Sequence, residues 1–438
     1  MRFHLLTLGC PKNVVDSEAM AAVLATLGHV PVAGPDDADL IIVNTCGFLA
    51  AAREEALAEL RGLAAAKRSD QLLVAAGCLA QRDGDSILQQ VPEVNGLLGT
   101  RRWMEIGTLL ERLQHHRADN APPVLLDNPA IALTAVRSRR AGSQGWAYLK
   151  ISDGCDASCA FCTIPAIKGA MRSQPVEALV AEAMALAGDG AQELVLIGQD
   201  TTSYGRDLGM ADGLPLLLKA LLTAMPDLRW LRLMYAYPGR ISEELVEVMA
   251  SDPRVCHYLD LPLQHGHPDT LRRMRRPANV EQTMRQIEHL RSAMPDIALR
   301  STFIVGYPGE TDAEFQALID LLETVRLDKV GVFMFSSEPG TMAAELPNPV
   351  PPEVQQERYE RTMVVQQRIS LESNEEQVGR RLDVLVEGVG DGLSVGRCYR
   401  DAPEVDGLVL IGGELPVARM TPVTITGAME YDLIGELA

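Results

Sequence analysis

From Ile151 to Pro165 the chain reads Ile-Ser-Asp-Gly-Cys155-Asp-Ala-Ser-Cys159-Ala-Phe161-Cys162-Thr-Ile-Pro. Three cysteines fall within eight residues at the spacing C-x3-C-x2-C. Gly154 lets the backbone turn just ahead of the first thiol. A loop this tight is expected to converge three thiolates on one centre. Three thiolates suit a cubane iron–sulfur cluster with one iron left open, because cysteine thiolate is the standard ligand of such clusters. The competing reading is a zinc knuckle. Structural zinc usually completes a tetrahedron with a fourth ligand, and the next histidine after Cys162 is His257, far along the chain.

A second set of thiols is spread through the first hundred residues. Phe3 to Leu8 is a short apolar run that ends in Gly9-Cys10. Leu40-Ile-Ile-Val-Asn44 ends at Thr45-Cys46-Gly47, and Leu72-Leu-Val-Ala-Ala76 ends at Gly77-Cys78. Helical spacing of apolar residues fills Asn13 to Leu27 and Ala50 to Lys67. Alternating strands and helices imply a parallel sheet. The carboxyl ends of such strands line the ligand crevice of open α/β folds. Cys10, Cys46 and Cys78 are therefore expected to meet in space and to hold a second three-thiolate cluster. The bland alternative is three small residues at three strand ends. Asn13 and Asn44 are placed to hydrogen-bond the loops around the thiols, or simply to cap turns.

The chain has 438 residues, enough for two to four domains, and 47% of them are hydrophobic. Net charge is −19, which argues against broad binding to nucleic-acid phosphate and favours a basic partner. Eight cysteines in a chain this long, six of them in two sets of three, do not form a secreted disulfide framework. Cys256 and Cys398 fit neither set and read as ordinary thiols. No apolar run reaches transmembrane length, and the first residues carry no signal-peptide pattern. The expectation is a cytoplasmic protein with no membrane partner.

The elements that must position the thiols divide into three domains: residues 1–125, residues 138–370 and residues 373–438. Residues 113–145 read as a connector, with Gln114-His-His-Arg117, Ala121-Pro-Pro123 and the basic run Arg137-Ser-Arg-Arg140. The central stretch repeats strand and helix about six times and is expected to form an open, partial (β/α) barrel, whose chemistry gathers at the carboxyl ends of its strands. Glu353 to Gln377 is a long charged helix. Beyond it, Leu382–Glu387, Leu408–Ile411 and Val423–Thr426 read as short strands of a small β-barrel. From Ser373 onward there are 12 acidic residues against five arginines and no lysine, a net −7. A barrel that grips nucleic acid is expected to be basic and to carry stacking aromatics; this one has only Tyr399 and Tyr431. A basic protein partner fits better.

The motif C-x3-C-x-aromatic-C, with Phe161 as the aromatic, resembles the signature of radical S-adenosylmethionine enzymes. In that family the open iron is chelated by S-adenosylmethionine, and one electron from the cluster cleaves it to yield a radical that abstracts hydrogen. Several further strings resemble the methylthiotransferases of that superfamily. They are Thr7-Leu-Gly-Cys10-Pro-Lys-Asn13, Val43-Asn-Thr-Cys46-Gly-Phe48, Ala76-Gly-Cys78-Leu-Ala-Gln-Arg82, Gly198-Gln-Asp-Thr-Thr-Ser-Tyr-Gly205, Leu259-Asp-Leu-Pro-Leu-Gln-His265 and Thr302-Phe-Ile-Val-Gly-Tyr-Pro-Gly-Glu-Thr311. The tail resembles a TRAM domain, and Gly396 to Gly407 is similar to the branch of the family that acts on a ribosomal protein. The cluster loop departs from the family at Ala157 and Ala160, where bulkier or polar residues are common.

The resemblance implies two [4Fe–4S] clusters, one on Cys155, Cys159 and Cys162 and one on Cys10, Cys46 and Cys78, together with S-adenosyl-L-methionine. It places Gln199 and Asp200 at the methionine amino group and Gly306 at the adenine. Arg300 and Gln264, at other strand ends, are further candidates for cofactor contact, and Lys168-Gly169 and Arg172-Ser173 for contact with cofactor or substrate. The implied reaction puts a methylthio group on the β-carbon of an aspartate in small-subunit ribosomal protein twelve, recognised through a basic loop, with an electron donor such as flavodoxin. Methylthiolation of a transfer-RNA adenosine is the enzymatic alternative. A non-catalytic iron–sulfur electron carrier or scaffold is the alternative from a different class.

Overall fold

The computed structural model describes residues 1–115, 121–126 and 145–438. The basic run 137–140 and much of the expected connector lie outside the described residues. The chain divides into two compact units. The first comprises residues 1–140, 153–158 and 162–174; the second comprises residues 141–152, 159–161 and 175–438.

The first unit is built on a six-stranded parallel sheet. Its strands run in the order Val30–Pro31, Arg2–Thr7, Leu40–Thr45, Leu72–Ala76, Gly96–Gly99, Val124–Leu125. Every residue of Leu40–Thr45 is buried, as a central strand covered on both faces requires. One face packs Phe3, Leu40, Ile42 and Val74 against Met20 and Leu24 of helix Pro11–Thr26. The other packs Ile41, Val43 and Leu73 against Leu57 and Leu60 of helix Ala50–Ala66. The strand Gly96–Gly99 escapes sequence reading because four residues bounded by glycine give no period to detect.

The second unit holds a six-stranded, all-parallel sheet. Its order is Lys329–Met334, Ala298–Val305, Val255–Asp260, Trp230–Leu233, Glu193–Ile197, Trp146–Lys150, so each strand lies beside its neighbour in sequence. Helices such as Val176–Gly188, Gly213–Ala224, Val280–Ala293 and Asp312–Val325 return the chain between strands. This is the partial barrel that the alternation implies. Leu194, Leu196, Leu231, Leu233, Leu259, Leu299 and Phe303 make its core with leucines of those helices. Helix Pro352–Glu375 then leads into a closed five-stranded barrel ordered Arg381–Gly390, Leu393–Arg397, Val409–Gly412, Leu433–Leu437, Met420–Ala428. Its core is Leu382, Val384, Val409, Ile411, Val423, Ile425 and Leu433. Among the described residues, no helix is long and apolar enough to cross a membrane.

Candidate metal centres

In the first unit, Cys10, Cys46 and Cys78 each follow the carboxyl end of a parallel strand, with Cys10 capping helix Pro11–Thr26 and Cys78 in the first turn of helix Gly77–Gln90. The pairing of neighbouring strands sets Thr7 opposite Asn44 and Asn44 opposite Ala76, so the three ends are level. The approach is close. Gly9 has φ +96°, and a Cβ there would stand 2.7 Å from Cys46 Cβ and 3.0 Å from Cys46 Sγ, so no other residue fits beside Cys10. Asn13 and Asn44 lace the loops together. Asn13 Nδ2 donates to the Leu8 carbonyl at 2.9 Å and to the Thr45 carbonyl at 3.2 Å. Asn44 Nδ2 donates to the Asn13 carbonyl and to Ser17 Oγ, both at 2.9 Å.

The electrostatics record how near the thiols are. Burial raises the Cys46 thiol, and Cys10 adds to the rise. Burial pushes the Cys78 thiol up to about 12, with Lys168 opposing and both Cys10 and Cys46 adding. All three are free cysteines. Three soft sulfur donors within charge range of one another, on a rigid frame and with no disulfide, fit an iron–sulfur cluster.

Cys155 and Cys162 also belong to the first unit. The Cys155 N–H donates to the Gly169 carbonyl at 3.2 Å, and the Ala157 N–H points at Cys155 Sγ at 3.4 Å. Arg101 donates to the Ala170 carbonyl at 2.6 Å. Lys168 is held by Asp153 at 2.9 Å and Asp16 at 3.5 Å, all three side chains being buried. The sequence marks Lys168 only as a residue near the loop; its ion pairs join segments far apart in the chain, which no local signal reports.

Cys159 and Phe161 belong to the second unit. The Ala160 N–H donates to the Met274 carbonyl and its own carbonyl accepts from Ala343, both at 2.9 Å. Phe161 packs with Ile304, Tyr307 and Phe335. Arg276 Nη1 lies 3.7 Å from Cys159 Sγ. The Tyr237 ring is stacked between Arg276 and Arg240, at 4.1 and 4.4 Å. Tyr237 and Arg240 follow the end of strand Trp230–Leu233, and no local signal in the sequence marks them.

The strand ends beyond these residues have a common backbone feature. Tyr235, Gln264 and Gly306 follow three adjacent strands and have φ of 61°, 73° and 72°. Left-handed conformations at non-glycine positions concentrate where a fold aims groups at a site. Gln264 keeps both backbone bonds to strand Ala298–Val305, donating to Thr302 and accepting from Ile304. Gln199 follows strand Glu193–Ile197. Asp200 caps the turn Thr201–Ser203, accepting from the Ser203 N–H at 3.1 Å and from the Thr202 and Ser203 hydroxyls at 2.7 Å, and it pairs with Arg240. Arg300 lies lower on its strand. Its guanidinium is shared by Asp260 at 2.9 Å and Asp406 at 3.3 Å. Asp260 in turn accepts from the Tyr235 N–H at 3.1 Å.

Comparison with known proteins places this geometry. Residues 2–99 match uncharacterized protein family UPF0004, residues 149–322 the radical SAM superfamily, and residues 378–438 the TRAM domain. The chain is 52% identical to a protein of Roseiflexus sp. (strain RS-1) named ribosomal protein uS12 methylthiotransferase RimO, covering 100% of this chain and 97% of the relative. A protein of the same name from Chloroflexus aurantiacus is 51% identical, over 100% of this chain and 99% of its own. The chain belongs to the uS12 methylthiotransferase family. Outside the family, the fold is similar to that of a radical S-adenosylmethionine methyltransferase, TsrM, from Kitasatospora setae, solved with cobalamin and a [4Fe–4S] cluster. That match has a TM-score of 0.58 at 17% identity, over 90% of this chain and 80% of the other. Family membership accounts for the order of domains found here, with a parallel α/β unit, a partial barrel and a closed five-stranded barrel in sequence.

Proposed function

We propose that this chain is the uS12 methylthiotransferase of its organism, placing a methylthio group on the β-carbon of an aspartate in that ribosomal protein. The observation that carries the reading is full-length identity of about half to relatives that bear that name, over a chain that carries both trios of cysteines. The acidic C-terminal barrel supports a basic protein substrate over transfer RNA.

Cys155, Cys159 and Cys162 would hold one [4Fe–4S] cluster with S-adenosyl-L-methionine on its open iron, and Cys10, Cys46 and Cys78 would hold the other. When bound, these groups would supply the one-electron chemistry that opens an unreactive C–H bond to the incoming methylthio group. The chain's own residues bind, orient and exclude. Arg276 presents a cation to the Cys159 sulfur, and Tyr237 keeps Arg276 and Arg240 in place by stacking on both. Asp200 fixes the turn after Gln199, so that Gln199 and Asp200 meet the methionine end of the cofactor. Gly306, Gln264 and Phe161 line its remaining length. Arg300 acts through Asp260 and the Tyr235 backbone. A reductant such as flavodoxin delivers the electrons.

The test is mass spectrometry of uS12 from cells with and without this gene. Loss of the methylthio mark from the aspartate in the deletion, and its return with the gene, is the expected result. An unchanged mark rejects the assignment.

A further inference from the structure

Lys168 ends the short helix Ile164–Lys168, which begins two residues after Cys162. It is 1% exposed, and Asp153 and Asp16 are 1% and 3% exposed. Lysine is almost never buried this deeply unless paired. Three charged groups removed from water at one place cost more than an apolar filling of the same volume. Packing alone therefore gives no reason for the cluster.

The sequence addresses of the three residues suggest one. Asp153 stands two residues before Cys155, Asp16 six after Cys10, and Lys168 six after Cys162. Helix Ile164–Lys168 packs on helix Gly77–Gln90, which carries Cys78 in its first turn. The ammonium therefore joins the segment bearing Cys155 and Cys162 to the segments bearing Cys10 and Cys78, all within the first unit. Asn13, one turn before Asp16 on helix Pro11–Thr26, has its Oδ1 3.8 Å from Cys78 Sγ, so the charged cluster borders the N-terminal thiols. We propose that Lys168, held between Asp153 and Asp16, is a positioning residue for the reaction: it fastens the radical-cluster loop to the N-terminal strand ends, and its charge favours the reduced, more negative state of the cluster on Cys10, Cys46 and Cys78. This rests on the two-cluster reading above.

The test uses the full-length chain with Cys155, Cys159 and Cys162 changed to alanine, so that only the N-terminal cluster remains. It is loaded with iron and sulfide without oxygen and titrated redox-wise by electron paramagnetic resonance. Lys168→Met is expected to shift the midpoint potential to more negative values, since a cation that favours the reduced state is lost. Lys168→Arg is expected to restore it. Asp16→Asn, which removes an opposing charge while keeping shape, is expected to shift it to more positive values; this variant decides the matter if Lys168→Met does not fold. A full complement of iron with an unmoved potential in the variants that fold overturns the proposal, and leaves Lys168 as a purely structural ion pair. Failure of the parent protein to hold any cluster overturns the two-cluster reading, and this proposal with it.

Discussion

Arg300 of the central sheet and Asp406 of the C-terminal barrel form a buried ion pair, with Nε 3.3 Å from Oδ1. Around it the segment from Cys398 to Asp406 is received by the sheet. Tyr258 donates to Asp406 at 2.7 Å and Tyr148 to Glu404 at 2.9 Å. Lys329 pairs with Asp401 at 2.8 Å and Arg400 with Asp328 at 2.7 Å. Beside this segment, Glu193 lies between Arg232 at 2.5 Å and Arg397 at 2.7 Å. Burial alone would raise the Glu193 carboxyl, but the two guanidiniums outweigh it and hold it below the usual range. The terminal barrel is thus built into the catalytic domain by paired charges, where a tethered binding module would be joined by a loose linker.

Removing one partner of such a pair leaves the other charge buried and uncompensated. Arg300→Met strands both Asp260 and Asp406 and is expected to lower unfolding stability by about 3–5 kcal/mol. Asp406→Ala is expected to lie closer to the parent, because Arg300 keeps Asp260 at 2.9 Å as a partner. Denaturant unfolding of both variants checks the order; equal loss in both contradicts it.

Gly306→Ala meets two obstacles that can be separated. Its φ is +72°, and an added Cβ would stand 2.3 Å from Gln355 Cγ. The backbone term costs about 1–2 kcal/mol, and the clash adds to it. Gln355→Ala in the same chain is expected to recover the steric part and leave the backbone part. A double-mutant cycle in thermal unfolding measures the two.

His265 is fully buried, and desolvation lowers its pKa to about 3 from the ordinary 6.5. The folded protein therefore keeps it neutral where the unfolded chain would bind a proton. Stability from this group is full above pH 6.5 and falls as pH drops toward 3, by about 1.4 kcal/mol per pH unit. His265→Gln is expected to flatten the acid side of the stability curve between those limits. An unchanged slope there contradicts it.

The parts of the fold legible in the sequence were those with strong local patterns. Leu40–Val43 and Leu72–Ala76 are continuous apolar runs ending in glycine and cysteine, so both the parallel sheet and the level placement of Cys46 and Cys78 could be read. The strands Leu393–Arg397 and Leu433–Leu437 could not: each is short, and glycine interrupts its alternation. Arg300 shows what pattern reading cannot reach. Strand position offered it to the cofactor, but its partner Asp406 is 106 residues further on, and only the folded chain brings them together. The pairing of Lys168 with Asp16, 152 residues before it, was beyond reading for the same reason.

Changing Cys10, Cys46 and Cys78 together to alanine is expected to halve the iron bound by anaerobically loaded protein, since each trio would hold one cluster. S-adenosylmethionine cleavage is expected to persist while methylthiolation stops. Retention of all the iron would mean that these thiols hold none.

The most direct test loads the full-length chain with iron and sulfide without oxygen, then adds reductant, S-adenosylmethionine and purified uS12. The account predicts 5′-deoxyadenosine in solution and a methylthio group on one aspartate of uS12, located by fragment mass spectrometry. Cofactor cleavage with uS12 unmodified, while a transfer-RNA adenosine supplied in parallel gains the group, would contradict it.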